Sequence, residues 1–260
     1  MSSEAVLLRR DGSIATVVLD RPEKLNALDL GAWQLLGEVV ARLGNDDGVR
    51  CIVLRGADER AFAAGADISE FARQRSNVEQ ARRYGEVVDT TMEAIAGCRH
   101  PTVAMIQGAC VGGGLEIACA CDLRICSRSS RFGVPVNRLG LTMAYGELRC
   151  LLAVVGAAAA REILLEGAIF GADRALQIGL VTRVVEDELV EEETYATVRR
   201  IAEAAPLVHR WHKKFIRRLG NPEPLSREEI EEGYAAFGSA DFRTGYRAFL
   251  DKTKPEFEGK

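Results

Sequence analysis

Apolar positions along this chain alternate first and then recur at helical spacing. Val6 and Leu8, a turn at Asp11-Gly12, and Ile14 to Leu19 predict a hairpin over residues 4–19. From Ala27 to Leu43 the spacing changes: Leu28, Trp33, Leu36, Val39 and Leu43 fall near one face of a helix. Cys51-Ile-Val-Leu and Thr102-Val-Ala-Met-Ile are short unbroken apolar runs, as buried strands are, and Val78 to Ala96 between them predicts a helix. Strand, helix, strand in that order predicts an α/β core. A further strand is expected over Leu123–Cys126. From about Ala157 the pattern is helical almost throughout, with interruptions near Val181–Val185 and at Asn221-Pro222. The expected division is an α/β body over residues 1–195 and a helical C-terminal region over residues 196–260.

Composition narrows the function. A chain of 260 residues with 47% hydrophobic and 28% charged residues suits one sizeable domain able to bury a core. A net charge of −4 speaks against a nucleic-acid partner, which needs a concentrated positive surface. No apolar run is long enough to cross a bilayer, and the opening MSSEAVLLRRDG turns charged too soon for a signal peptide. A cytoplasmic protein with no membrane partner is the expectation. Cys119, Cys121 and Cys126 lack the paired spacing of a zinc site, so buried free thiols and no metal are expected. His100, before Pro101, reads as a surface joint. His209 and His212 share a helix with Arg210, Lys213, Lys214, Arg217 and Arg218, a basic face that reads as solvated, opposite an inner stripe of Leu207, Trp211, Phe215 and Leu219.

Two nearly bare stretches carry the candidate chemistry. The first is AFAAGADISEF, Ala61 to Phe71. The second is MIQGACVGGGLEIACACD, Met105 to Asp122, in which an apolar strand feeds Gly108, then Gly112-Gly113-Gly114, then a helical run from Leu115. The GxGxxG dinucleotide pattern is absent, and no Lys follows the glycines as in a phosphate loop. Glycines before a helix bring backbone N–H groups and the helix N-terminus close to a ligand, a way to hold an oxyanion. Glu116 falls almost one helical turn after Gly113. It would lie beside whatever those N–H groups hold, or serve only as a first-turn acid that the helix dipole favours.

Together AFAAGADISEF and GACVGGGLEIACACD resemble the two signature segments of the crotonase, or enoyl-CoA hydratase/isomerase, superfamily. LDRPEKLNAL (Leu19–Leu28), RFGVPVNRLGL (Arg131–Leu141), GADRALQIGLVTRVV (Gly171–Val185) and YRAFLDKTKPEF (Tyr246–Phe257) match further segments in the same order, over nearly the whole chain. The resemblance implies an α/β fold made of a spiral of ββα units, with a C-terminal helical region that builds a homotrimer or hexamer. It implies an acyl-CoA substrate, with coenzyme A as part of that substrate and no permanently bound cofactor. By match, the N–H groups of Ala66 and Gly113 form an oxyanion hole that polarises the thioester carbonyl and stabilises an enolate. Lys24, Leu25, Ala64, Asp67, Ile68, Gly112, Val136 and Tyr145 are the matching substrate-binding positions.

One departure matters for the reaction. Hydratases of this superfamily resemble a two-carboxylate machine; the first carboxylate is Glu116, but the second position is Val136 in FGVPVNRLG. A missing general acid or base costs about 10²–10⁴-fold. Glu147, in LTMAYGELR, is a candidate substitute, and it also has a structural role open to it in the first turn of a helix running to Val155. The implied activity is hydration of an enoyl-CoA. The alternatives are an isomerase or decarboxylase needing one carboxylate, or an acyl-CoA-binding protein without catalysis.

Overall fold

The computed structural model describes residues 5–260, so residue 4, the expected start of the hairpin, lies outside the described residues. Strands β1 (Val6–Asp11) and β2 (Ile14–Leu19) form that hairpin in antiparallel register, Val6 opposite Leu19, and Gly12 supplies the left-handed turn residue (φ 55°). Helix α1 covers Leu30–Gly44 rather than starting at Ala27. The Asp29 carboxylate accepts the Ala32 N–H and caps it there, and Leu28 is instead drawn into a bridge with Ala66.

The middle of the chain repeats one unit. Strands β3 (Cys51–Gly56) and β4 (Ala61–Ala63) lead through a short helix α2 (Phe71–Gln74) to α3 (Val78–Ala96). Strands β5 (Thr102–Ile106) and β6 (Ala109–Val111) lead to α4 (Gly113–Ala120). Strands β7 (Leu123–Ser127) and β8 (Arg131–Gly133) lead to α5 (Tyr145–Glu166). In each unit the first strand enters a six-stranded sheet and the second a four-stranded one. Helix α5 is broken at Gly156 (φ 71°, ψ 171°), so its first piece ends at Val155 as the sequence predicts.

Next come β9 (Phe170–Gly171), α6 (Ala172–Gln177), β10 (Arg183–Val185), α7 (Val190–Glu203), α8 (Pro206–Leu219), α9 (Arg227–Glu232) and α10 (Ala240–Asp251). The sheet orders are β1-β2-β3-β5-β7-β10 and β4-β6-β8-β9, and the central pairings of both are parallel. Parallel strands are covered on both faces, which is why β3 and β5 read as unbroken apolar runs. Ile52, Leu54, Ala104 and Ile106 face the main core with α1, α3 and α4. Cys51, Val53, Val103 and Met105 face α7, whose Val190, Val198 and Ala202 close the opposite side. The division expected between residues 195 and 196 falls inside α7.

Two surface expectations are corrected. His100 is buried: its ring bonds the Asp46 carbonyl, and desolvation, reinforced by Arg210 and Arg99, pushes its pKa down to about 4. It is buried because α8 lies over it, with Lys213 Nζ donating to the His100 carbonyl at 2.8 Å and also pairing with Asp122. Arg210 pairs with Asp47 and Arg217 with Glu93, so much of the basic face of α8 is an ionic seam against the body rather than a solvated one. Leu207, Trp211 and Phe215 are half-buried, whereas Leu219 is exposed, beyond the reach of that seam. All seven cysteines are free thiols, six of them buried.

Candidate active site

The first bare loop is held by hydrogen bonds on both sides of one amide. Ala64 N–H donates to the Leu25 carbonyl, Leu28 N–H to the Gly65 carbonyl, and Asp67 N–H to the Leu28 carbonyl. Ala66 N–H is left without an acceptor among the described residues. The partner segment is shaped to do this: Leu25 (φ 52°) and Asn26 (φ 56°) are both left-handed, and Asn26 Nδ2 donates to the Ala61 carbonyl at 2.7 Å. A non-glycine residue in that conformation is costly unless its surroundings hold it, and here the Asn26 side chain does so. Asp67 pins the loop's far end. It accepts from Arg21, Lys24 and Ser69 and is itself buried. Burial works to raise its carboxyl, but the bonds from Lys24, Ser69 and Arg21 outweigh this and hold it well below the usual carboxylate range.

The second bare stretch faces the first. Helix α4 begins at Gly113, two residues before the expected Leu115, so the Gly113 N–H is the first orphan donor of the helix. Gly65 (φ 102°) brings its Cα against this amide; a Cβ there would stand 3.1 Å from Gly113 N and 3.0 Å from the Val111 carbonyl oxygen. Only glycine satisfies both the dihedral and the space. At the other end, the buried Arg124 guanidinium donates to the Ala118, Cys121 and Leu180 carbonyls and fixes the C-terminus of α4. Glu116 sits on the first turn of this clamped helix.

These parts open onto a cleft with a cavity of about 120 Å³. Its lining brings together Ala64, Ala66, Ile68, Gly112, Gly113, Glu116, Val136 and Glu147 from the predicted set. Lys24, Leu25, Asp67 and Tyr145 stand outside the lining: Lys24 is held by Asp67, Leu25 lies behind Ala64, and Tyr145 is 94% exposed. Trp33, Phe71, Arg75 and Tyr84 join the cleft without having been singled out as site residues. Trp33 carries the helical spacing of a core residue, and nothing in sequence marks which core residue borders a cavity.

Glu116 and Glu147 share this cleft in different settings. Glu116 is buried and its carboxyl accepts no hydrogen bond from the described residues; desolvation, then the charge of Glu147, push its pKa up to about 8. Burial also raises Glu147, but its Oε2 accepts the Ala144 N–H at 2.6 Å, which favours the charged form. That bond satisfies the N-cap amide at the start of α5, so the structural role foreseen for Glu147 is real and does not keep its carboxyl out of the cleft. Arg75 works against both upward shifts. Two carboxyls in one cavity, both raised by burial and Glu116 pushed up to about 8, can hold a proton between them and so accept and deliver protons beside two free amides. Among the described residues no group of three or more His, Cys, Asp or Glu side chains is arranged to hold a metal ion.

Residues 9–260 match the family model described as enoyl-CoA hydratase/isomerase. The chain belongs to that family. It is 32% identical over 258 residues to the short-chain-enoyl-CoA hydratase of Clostridium acetobutylicum, covering 98% of each chain. It is 30% identical over 263 residues to the crotonyl-CoA hydratase of Syntrophomonas wolfei, covering all of both. Among solved structures, an enoyl-CoA hydratase/carnithine racemase from Magnetospirillum magneticum superposes with a TM-score of 0.98 at 46% identity, over 100% of this chain and 97% of that one. The family's enzymes share the crotonase fold, and the two interleaved sheets described above are that fold in this chain.

Proposed function

We propose that the protein hydrates the double bond of a 2-enoyl-CoA thioester, with Glu116 and Glu147 as the carboxylate pair. The observation that carries this is their meeting in one cleft beside the unpaired amides of Ala66 and Gly113. The thioester oxygen takes both N–H groups. Glu147, ionised, removes a proton from water as the water oxygen bonds to C3. The π pair moves towards C2 and the carbonyl, and the negative charge rests on the thioester oxygen. Glu116, neutral, delivers its proton to C2, giving the 3-hydroxyacyl-CoA; the pair then shares the proton taken from water. Backbone donors suit this because they are fixed before the charge develops, and losing one such donor costs about 10²–10³ in rate. Lys24 and Leu25, on the outer side of the same loop, are proposed to meet the CoA moiety, and Ala64, Gly112, Ile68 and Val136 the thioester and acyl chain.

Loss of enoyl-thioester absorbance with crotonyl-CoA is the direct assay. Turnover that disappears in Glu116→Gln is the expected result. Conversion of 3-enoyl to 2-enoyl thioesters without hydration would make the protein an isomerase. Binding of acetoacetyl-CoA without any turnover would make it a binding protein, and either outcome overturns the hydratase reading.

A further inference from the structure

One wall of the cleft carries a guanidinium that the protein leaves unpaired. Trp33 Nε1 and Tyr84 Oη are buried beside each other, the indole N–H next to the phenol oxygen, and neither atom is open to the cavity. The Trp33 ring lies with its Cζ2 edge, the edge beside Nε1, against Gly113, where a Cβ would stand 2.7 Å away. Arg75 completes the group. Its guanidinium packs on the rings of Phe71 and Tyr84, 4.8 and 4.7 Å from their centroids, and among the described residues it has no ion pair and no side-chain hydrogen bond. All three side chains line the cavity that holds Glu116 and Glu147.

A guanidinium that lines a cleft with no ion pair and no hydrogen bond of its own has its donors free for whatever fills the cavity. It can only donate, and it offers a planar fork matched to a carboxylate. The aromatic faces hold that fork without neutralising it. We propose, building on the acyl-CoA reading above, that the cleft takes a short acyl group carrying a carboxylate, bound by Arg75, which the rings of Phe71 and Tyr84 hold in place. The two cleft glutamates do not forbid this anion. Burial raises both carboxyls, which favours their neutral forms, and Arg75 offsets the charge that either one carries.

Calorimetry with saturated thioesters isolates recognition from turnover. Glutaryl-CoA and pentanoyl-CoA have chains of equal length and differ in ending with a carboxylate or a methyl; succinyl-CoA and butanoyl-CoA repeat the comparison one carbon shorter. A site built to hydrogen-bond a substrate group rejects the analogue lacking it, and a preference of about 10²-fold for a carboxylate-ended thioester is expected here. Arg75→Met should abolish that preference, Tyr84→Phe, which keeps the ring under the guanidinium, should leave it unchanged, and Arg75→Lys should keep part of it. Equal binding within both pairs, or tighter binding of the methyl-ended chains, overturns the anionic-acyl inference and leaves the acyl-CoA reading standing. Arg75→Met weakening both members of a pair alike would make Arg75 only an electrostatic counterweight to the glutamates, and would also overturn it. Failure of every thioester to bind removes both readings together.

Discussion

Replacing Glu116 by Gln should stabilise the protein while removing its activity. Gln has the shape of a neutral Glu, so it leaves the packing under α4 in place and removes only the ability to ionise. The carboxyl's folded pKa of about 8 lies well above its ordinary 4.5, chiefly because the first turn of α4 is buried. Between those values the folded state holds the proton and the unfolded state releases it, so wild-type stability falls as pH rises. The fall proceeds at up to about 1.4 kcal/mol per pH unit and totals on the order of 3–5 kcal/mol by pH 9. Chemical denaturation of both proteins from pH 5 to pH 9, at one fixed protomer concentration, measures this directly. The two should differ by about 1 kcal/mol at pH 5, with the variant increasingly favoured above it. Turnover should fall by about 10²–10⁴-fold in the same variant. Stability curves that run parallel over this range would refute the desolvation of Glu116 and with it the assignment of a neutral acid.

Gly113→Ala would place a methyl 2.7 Å from Trp33 and disturb the amide at the start of α4; turnover should drop about 10²–10³-fold, while acetoacetyl-CoA binding by calorimetry falls much less. Asp67→Asn should destabilise by about 2–3 kcal/mol in denaturant titrations, because Arg21 and Lys24 lose a buried partner. Since the folded Asp67 carboxyl lies below its ordinary 3.8, the wild-type advantage should be complete above about pH 5 and shrink as the pH falls through and below 3.8. Light scattering at micromolar concentration should report a trimer or hexamer: Tyr234, Phe237, Phe249 and Leu250 are all more than 60% exposed on a single chain, a larger apolar surface than monomers usually leave bare. A monomer there would remove the assembly role of the C-terminal helices.

Much of this arrangement was legible in sequence wherever local chemistry decides the outcome. Helix α3 begins and ends where periodicity puts it because Asn77 caps its first turn and Gly97 follows its last. The facing of the two bare loops came from the resemblance to the crotonase superfamily, and the structure gives its physical basis in Gly65, whose Cα lies against the Gly113 amide. What escaped depends on distant segments. Helix α1 starts late because Leu28 is claimed by Ala66, nearly forty residues on. His100 is buried by Lys213 and its helix, over a hundred residues away. Arg75, Trp33 and Tyr84 gave no signal because a residue beside a cavity has the same spacing as one inside a core; only the unpaired guanidinium of Arg75 distinguishes the group.

The exchange between Val136 and Glu147 gives the sharpest test of the chemistry. Val136 lines the cleft from the short turn Pro135–Leu139, and Glu147 reaches the same cavity from α5. If Glu147 supplies the base, Val136→Glu adds a third carboxyl to a space that already holds two. Like charges in a shared site push each other's pKa upward, so the insertion should lower hydration rather than raise it. Glu147→Gln should lower hydration by about 10²–10⁴-fold, nearly as far as Glu116→Gln, because paired proton-transfer groups act as a unit. Ala144 also loses its charged acceptor in that variant, so a thermal melt must accompany the kinetics; an amide oxygen can still accept the N–H, and loss of the cap alone costs about 1 kcal/mol. The double variant Val136→Glu with Glu147→Gln then returns a carboxylate to the cleft from the other wall. Recovery of at least part of the lost turnover in the double variant is expected, since the water needs a base in the cleft and not a particular helix to carry it. A rise in hydration from Val136→Glu alone, with Glu147→Gln harmless, would show instead that Glu116 works unaided and that Glu147 serves only to cap α5.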